Sequence, residues 1–300
     1  METKYDLLRG PWGGDPRVTF GFAAHSLRAT GLPELIALSG ECQLRGAKLH
    51  VHLEEQTEEV ESCKRHHQGA TAMRLLLDAL PGSLSHVTAV HCTHTLPEEL
   101  AEFVGRGGRV CVCPATEGAL GDGIPPLGEP AVQLAAAQRS AGADPGDSYV
   151  CLGTDCNASI DFQGEMRWLE YGQRLRFQRR GVLTDLAPPP APAPAPAPEE
   201  GEGTAARPVS WQLFQAATLG GARSLGVGAR EVAPQALADF CALDLAHPLL
   251  REAAAGCEPS LPPERLLDLL AFAGAAGAVA AAWVNGRPAW ERPAAARAAP

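Results

Sequence analysis

Five short stretches of this chain are rich in β-branched and other apolar residues, and segments with helical spacing separate them. Arg17 to Ala24 (RVTFGFAA), Lys48 to Leu53 (KLHVHL), His86 to His91 (HVTAVH), Arg109 to Cys113 (RVCVC) and Ser148 to Leu152 (SYVCL) predict strands. Between them, Pro33 to Ser39, Ala70 to Leu80, Pro97 to Val104 and Val132 to Arg139 predict helices, and Glu165 to Arg180 a longer amphipathic one. The helix at Pro97 carries Glu98 and Glu99 in its first turn, where the helix dipole favours acids. Farther along, Trp211 to Leu219 predicts a helix, Ala238 to Asp244 a strand, and Ala281 to Arg287 a strand entering a turn. Alternation of strands and helices predicts an α/β fold with a parallel sheet.

Polar residues fall at the carboxyl ends of these strands. His52, His91, Cys113 and Asp155 follow one another at intervals of 39, 22 and 42 residues. An eight-stranded α/β barrel of about 250 residues uses about 31 residues per unit. The three intervals therefore fit three consecutive units, the last enlarged by an insertion around Gly128 to Gly146. Residues 187–208 (APPPAPAPAPAPEEGEGTAARP) are of low complexity; Pro-Ala repeats favour extended polyproline conformation and do not pack, so a disordered insertion is expected there.

The strand-end residues have the chemistry of a metal site. His50 and His52, two apart on a strand, share a face. Neutral imidazole at a barrel mouth is a good ligand for zinc or a similar divalent ion, although two core histidines explain the pair as well. Glu55, three residues past His52, is placed to exchange protons with metal-bound water without ligating the metal. His91 in Val90-His91-Cys92-Thr93-His94, taken alone, reads more readily as a hydrogen-bonded core residue. Asp155 in Gly153-Thr154-Asp155-Cys156-Asn157 reads as a metal ligand that accepts a proton from bound water, or as a helix N-cap. The three together, in this order and at barrel spacing, favour the metal site.

Composition narrows the field. A formal net charge of −10 gives no electrostatic support for a nucleic-acid or anionic-membrane partner. The densest basic stretch, Arg174 to Arg180, reads as a solvated helix face. Nine cysteines without paired spacing read as reduced thiols of a cytoplasmic protein, and Met1-Glu2-Thr3-Lys4 has no apolar run behind it to make a secretory signal. Leu270 to Trp283 is too short to cross a bilayer, so a soluble protein is expected.

A strand-end HxxE, then HCxH, then GTD resembles the amidohydrolase superfamily in its deaminating branch. Within it, several stretches are similar to the formimidoylglutamate deiminase family: Phe22-Ala23-Ala24-His25-Ser26-Leu27-Arg28, His50 to Gln56, Cys113 to Glu117 running into Leu120 to Ile124, and Met166 to Arg176. Ala238 to Asp244 and Val284 to Arg287 resemble the last pieces of a small β-domain flanking such barrels. The resemblance implies a partial (β/α)8 TIM-like barrel, strands four to eight, over residues 1–186, then the insertion at 187–208. Residues 209–300 would hold the last barrel helices and the C-terminal β-domain segment. It implies His52 and Asp155 as ligands of one zinc or other divalent ion per subunit. Glu55 would shuttle protons, Asp155 would help deprotonate water, and His91 would hydrogen-bond near the reacting carbon. His25 and Arg28 would hold the substrate, the arginine suiting a carboxylate through bidentate hydrogen bonds. The reaction implied is deimination of N-formimino-L-glutamate to N-formyl-L-glutamate and ammonia, in histidine degradation. The partners implied are a small-molecule substrate and a second copy in a homodimer. A guanine- or cytosine-type deaminase of the same superfamily and a non-catalytic remnant are the alternatives.

The superfamily's first strand ends in a His-x-His pair. His50-Val51-His52 is not that pair, because Glu55 and Gln56 follow it as they follow the family's fifth strand. Only sixteen residues precede Arg17. Strands one to three are therefore expected to be missing, leaving exposed sheet edges and an incomplete ligand set. The expectation is that these 300 residues alone are poorly metallated and inactive.

Overall fold

The computed structural model describes residues 18–140, 148–184, 208–228, 236–248, 250–251, 263–273 and 275–293, together with 6, 9–13, 15 and 234. Its larger sheet has five parallel strands hydrogen-bonded in chain order: β1 (Phe22–Ser26), β2 (Leu49–Leu53), β3 (Val87–His91), β4 (Arg109–Val112) and β5 (Val150–Leu152). The intervening helices are α1 (Leu32–Arg45), α2 (Thr57–His66), α3 (Ala72–Ala79), α4 (Pro97–Gly105), α5 (Pro114–Leu120) and α6 (Pro130–Ser140), and α7 (Phe162–Phe177) follows β5. Parallel strands in sequential order with helical crossovers make an arc of an α/β barrel. Among the described residues, β1 pairs only with β2, and β5 only with β4.

Alternation along β2 decides which face holds the core. Leu49, Val51 and Leu53 are buried with Leu35 and Cys42 of α1 and Met73, Leu76 and Leu77 of α3. Each such side chain contributes about 1.5–3 kcal/mol by leaving water. His50 and His52 point the other way and are only partly buried. On β1 the same alternation buries Ala24 and Ser26 against the helices while Ala23 and His25 stay exposed. The sheet therefore has a helix-covered face and an inner face that is open beside β1.

Helix α8 (Val209–Gln215) runs through a π turn, Ala216–Gly220, into α9 (Gly221–Leu225). This segment lies against β5 and reaches the lower inner face, where the Ser224 hydroxyl is 2.9 Å from that of Thr88. A second, antiparallel sheet contains β6 (Phe240–Leu243), β7 (Val279–Val284) and β8 (Arg287–Glu291), in the order β6-β7-β8. Helix α10 (Pro263–Phe272) packs beside α8, with the Ser210 hydroxyl donating to Asp268 over 2.5 Å.

The sequence-derived elements recur with shifted bounds. The first strand begins at Phe22 rather than Arg17, the helix expected from Pro33 to Ser39 runs from Leu32 to Arg45, and that of Glu165 to Arg180 sits at Phe162–Phe177. In the last case Asp161 sets the start by accepting the Gln163 N–H at 3.1 Å. Helices α2, α5 and α10 and strand β8 were not expected. The low-complexity segment at 187–208 lies outside the described residues except for Pro208.

Candidate metal centre and its surroundings

His52, His91 and Asp155 meet at the carboxyl ends of β2, β3 and β5, each offering a ligand atom within 4.8 Å of the others. Each arrives by a different local route. His52 sits in the regular pleat of β2, and its Nδ1 is 2.7 Å from the backbone carbonyl of His25. A carbonyl can only accept, so the hydrogen is on Nδ1 and the Nε2 lone pair is left for the cluster. His91 is the register partner of Leu53, whose side chain faces the helices. Regular pleating would send His91 the same way. Instead φ is +74° at His91 and +55° at Cys92, and the imidazole stacks 5.5 Å from that of His52. Asp155 has φ +47° in the turn after β5. Left-handed backbone costs a non-glycine residue about 1–3 kcal/mol, and it persists where surrounding structure enforces it.

The His91 ring is fully buried, and its Nε2 has no hydrogen-bond partner. That nitrogen is 3.8 Å from Glu55 Oε1 and 4.0 Å from Asp155 Oδ2. On its other side Nδ1 is 3.3 Å from Glu117 Oε1, a buried carboxylate that also accepts the Cys113 N–H at 2.9 Å. Burial lowers the proton affinity of His91, but Glu117, Glu55 and Asp155 together outweigh it and raise its pKa above the ordinary histidine value. Burial raises that of Glu117 despite the bonds from His91 and Cys113. An unpartnered buried nitrogen facing two carboxylates, beside a second imidazole with a free lone pair, is a set of acceptors around a gap that suits a cation. The donor set therefore fits a divalent metal.

Of the residues singled out in the sequence, the structure gathers His52, His91, Asp155 and Glu55 here. His91, expected to hydrogen-bond near the reacting carbon, also offers a ligand atom within 4.8 Å of those of His52 and Asp155. Asp155 is not the cap of α7, which is Asp161. His25 borders the cluster on the exposed side, 5.2 Å from the His52 ring. Arg28 does not stand free as a substrate clamp: it is bound to Glu55 at 3.1 Å and lies 3.8 Å from Glu59. His50 shares a strand face with His52 but lies deeper, 3.0 Å from the Ser224 carbonyl and 3.1 Å from its hydroxyl. Glu117, at the end of the stretch Cys113 to Glu117, was not expected to act at the site, and the fold alone brings it to His91. Behind β2, Glu54 accepts the Met73 N–H at 2.8 Å, and burial, only partly offset by that bond, raises its pKa to about 7.

With this geometry in view, comparison with known families is decisive. The model of the amidohydrolase family matches residues 6–184. The chain belongs to the amidohydrolase family. It is 30% identical over 235 residues to the formimidoylglutamate deiminase of Pseudomonas aeruginosa, covering 78% of this chain and 44% of that one. It is 29% identical over 287 residues to a 5-methylthioadenosine/S-adenosylhomocysteine deaminase of Moorella thermoacetica, covering 91% and 54%. Among solved structures, an amidohydrolase from Brucella melitensis superposes with a TM-score of 0.69 at 29% identity, over 95% of this chain and 52% of that one. A zinc-bound adenosine deaminase from Xanthomonas campestris gives 0.69 at 23% identity, over 95% and 55%, and shares the fold. The chain spans about half the length of the curated relatives it matches. Among the described residues no helix is long and apolar enough to cross a membrane.

Proposed function

We propose that this site serves the hydrolytic deimination of N-formimino-L-glutamate to N-formyl-L-glutamate and ammonia, a step of histidine degradation. The observation that carries the reading is the convergence of His52, His91 and Asp155 beside Glu55 at the strand ends. Likeness to formimidoylglutamate deiminase supports the choice of substrate. His52 and Asp155, with His91 beside them, would hold one zinc ion per subunit. Such an ion, when bound, lowers the pKa of water and polarises the carbon under attack.

The chain's own residues supply the rest. Glu55 receives at Oε1, on the side facing His91, the proton that the attacking water gives up through Asp155, and delivers it to the departing nitrogen. Asp155 accepts a proton from the attacking water. His91 donates a hydrogen bond to the tetrahedral centre from Nε2 once it is protonated there as well as on the Nδ1 that faces Glu117, and in that form it is not a ligand of the ion. His25, at the exposed margin, and Arg28, after exchanging Glu55 for a substrate carboxylate, hold the amino-acid portion. Deamination of 5-methylthioadenosine is the second reading, supported by likeness to deaminases of that name.

Ammonia release from the two substrates, by the protein as isolated from its source, separates these readings. A preference for N-formimino-L-glutamate is expected, and turnover of 5-methylthioadenosine alone would overturn it. The 300-residue polypeptide by itself is expected to be inactive, because among the described residues the inner face is exposed at Ala23 and His25.

A further inference from the structure

The two imidazoles of the cluster are oriented by different devices. His52 is fixed by a backbone carbonyl, which no side-chain substitution removes. His91 is fixed by a side chain, Glu117, from the helix after the next strand. We propose that Glu117 is a positioning residue that holds the hydrogen of His91 on Nδ1 and turns its Nε2 lone pair toward Asp155 and Glu55. The functional meaning of this assignment rests on the proposed metal-site reading; its chemistry does not.

Three observations carry it. The carboxylate is itself anchored, because Glu117 Oε1 accepts the Cys113 N–H at the end of β4. Its position is therefore set by the sheet rather than by the histidine it meets. Glu117 Oε1 already serves as the acceptor of the Cys113 N–H, so a bond from the same oxygen to His91 at 3.3 Å calls for the hydrogen on Nδ1. With the opposite tautomer, a ring lone pair would face that carboxylate inside a buried pair, while Nε2–H would find its nearest acceptors at 3.8 and 4.0 Å, beyond hydrogen-bond length. Of the two neutral forms, the one with hydrogen on Nδ1 satisfies the buried side of the ring. That form also presents the lone pair to the gap bounded by His52 and Asp155.

The test reads the tautomer directly. Ring nitrogen shifts and two-bond correlations of 15N-histidine-labelled chain are recorded without metal, at a pH where the ring is neutral. The His91 signals are identified by their loss in His91→Gln. The wild type is expected to show protonated Nδ1 and bare Nε2. Glu117→Gln keeps an oxygen for both N–H groups and is expected to retain that pattern. Glu117→Met, which removes the acceptor, is expected to move the hydrogen to Nε2 and to weaken zinc binding in competition titrations about 10- to 100-fold. A wild-type His91 protonated on Nε2, or a Glu117→Met variant still protonated on Nδ1, overturns the assignment. If Glu117→Met does not fold, the wild-type and Glu117→Gln spectra decide: Nδ1–H in both supports it, and Nε2–H in either overturns it. Because neither metal nor substrate is present, a failure of the deiminase reading leaves this result unaffected.

Discussion

Replacing Arg28 with Met separates what this side chain does for the fold from what it does for a ligand. In the folded chain Arg28 is bound to Glu55 at 3.1 Å and lies 3.8 Å from Glu59, with 38% of its side chain exposed. A pair this exposed is worth about 0–1 kcal/mol, so the variant is expected to lose less than about 1 kcal/mol of stability in urea unfolding. Methionine keeps most of the length and apolar contact of the arginine stem. A substrate carboxylate gripped by the guanidinium would instead lose charge-assisted hydrogen bonds worth about 1.5–3 kcal/mol, or about 10- to 150-fold in affinity. The assay is calorimetric titration of the metal-loaded protein with N-formyl-L-glutamate and, separately, with 5-methylthioadenosine. Loss of affinity for the acid with the nucleoside unaffected is expected. Equal affinity of wild type and variant for N-formyl-L-glutamate would refute the assignment of Arg28 to the substrate.

Two further outcomes follow from the packing. A methyl group added at Gly220 collides with the backbone oxygen of Val150, so Gly220→Ala is expected to cost about 1–3 kcal/mol by pushing the π turn off β5; unchanged stability in chemical denaturation would mean that the helix does not seat there. His86 sits buried at the start of β3 with Nε2 2.7 Å from the Ser39 hydroxyl, and burial, aided by the charge of Lys48, lowers its pKa below the ordinary histidine value. Its contribution to stability is therefore complete above about pH 6.5 and is lost as pH falls from there through the lowered folded pKa, with a slope of at most about 1.4 kcal/mol per pH unit. His86→Gln should flatten that acid limb in urea titrations, and parallel curves for variant and wild type would contradict the assignment.

The parallel sheet was legible because its strands are short apolar runs and because His52, His91 and Asp155 recur at near-barrel intervals. Other features lay beyond local pattern. Helix α2, TEEVESCKRH, buries only Glu59 and Val60, so its polar surface hides its periodicity. In β8, RPAWE, every residue is exposed and Pro288 interrupts the strand signal. Spacing put His50 and His52 on one face, which is correct, but depth separates them, since Ser224, 174 residues later, takes His50. Strand alternation alone would have turned His91 toward the helices; positive φ at the strand end reverses it. Glu117 gave no signal because its meaning arises only when α5 brings it against a histidine 26 residues earlier.

The central claim is that His52, His91 and Asp155 enclose one cation, and equilibrium dialysis of the purified chain against zinc tests it most directly. One ion per chain is expected only at high zinc concentration, in keeping with the poor metallation expected of an incomplete ligand set, and it is lost in His52→Ala and in Asp155→Ala and retained in His66→Ala, whose side chain is exposed on α2. Zinc binding that survives both of the first two substitutions would contradict it.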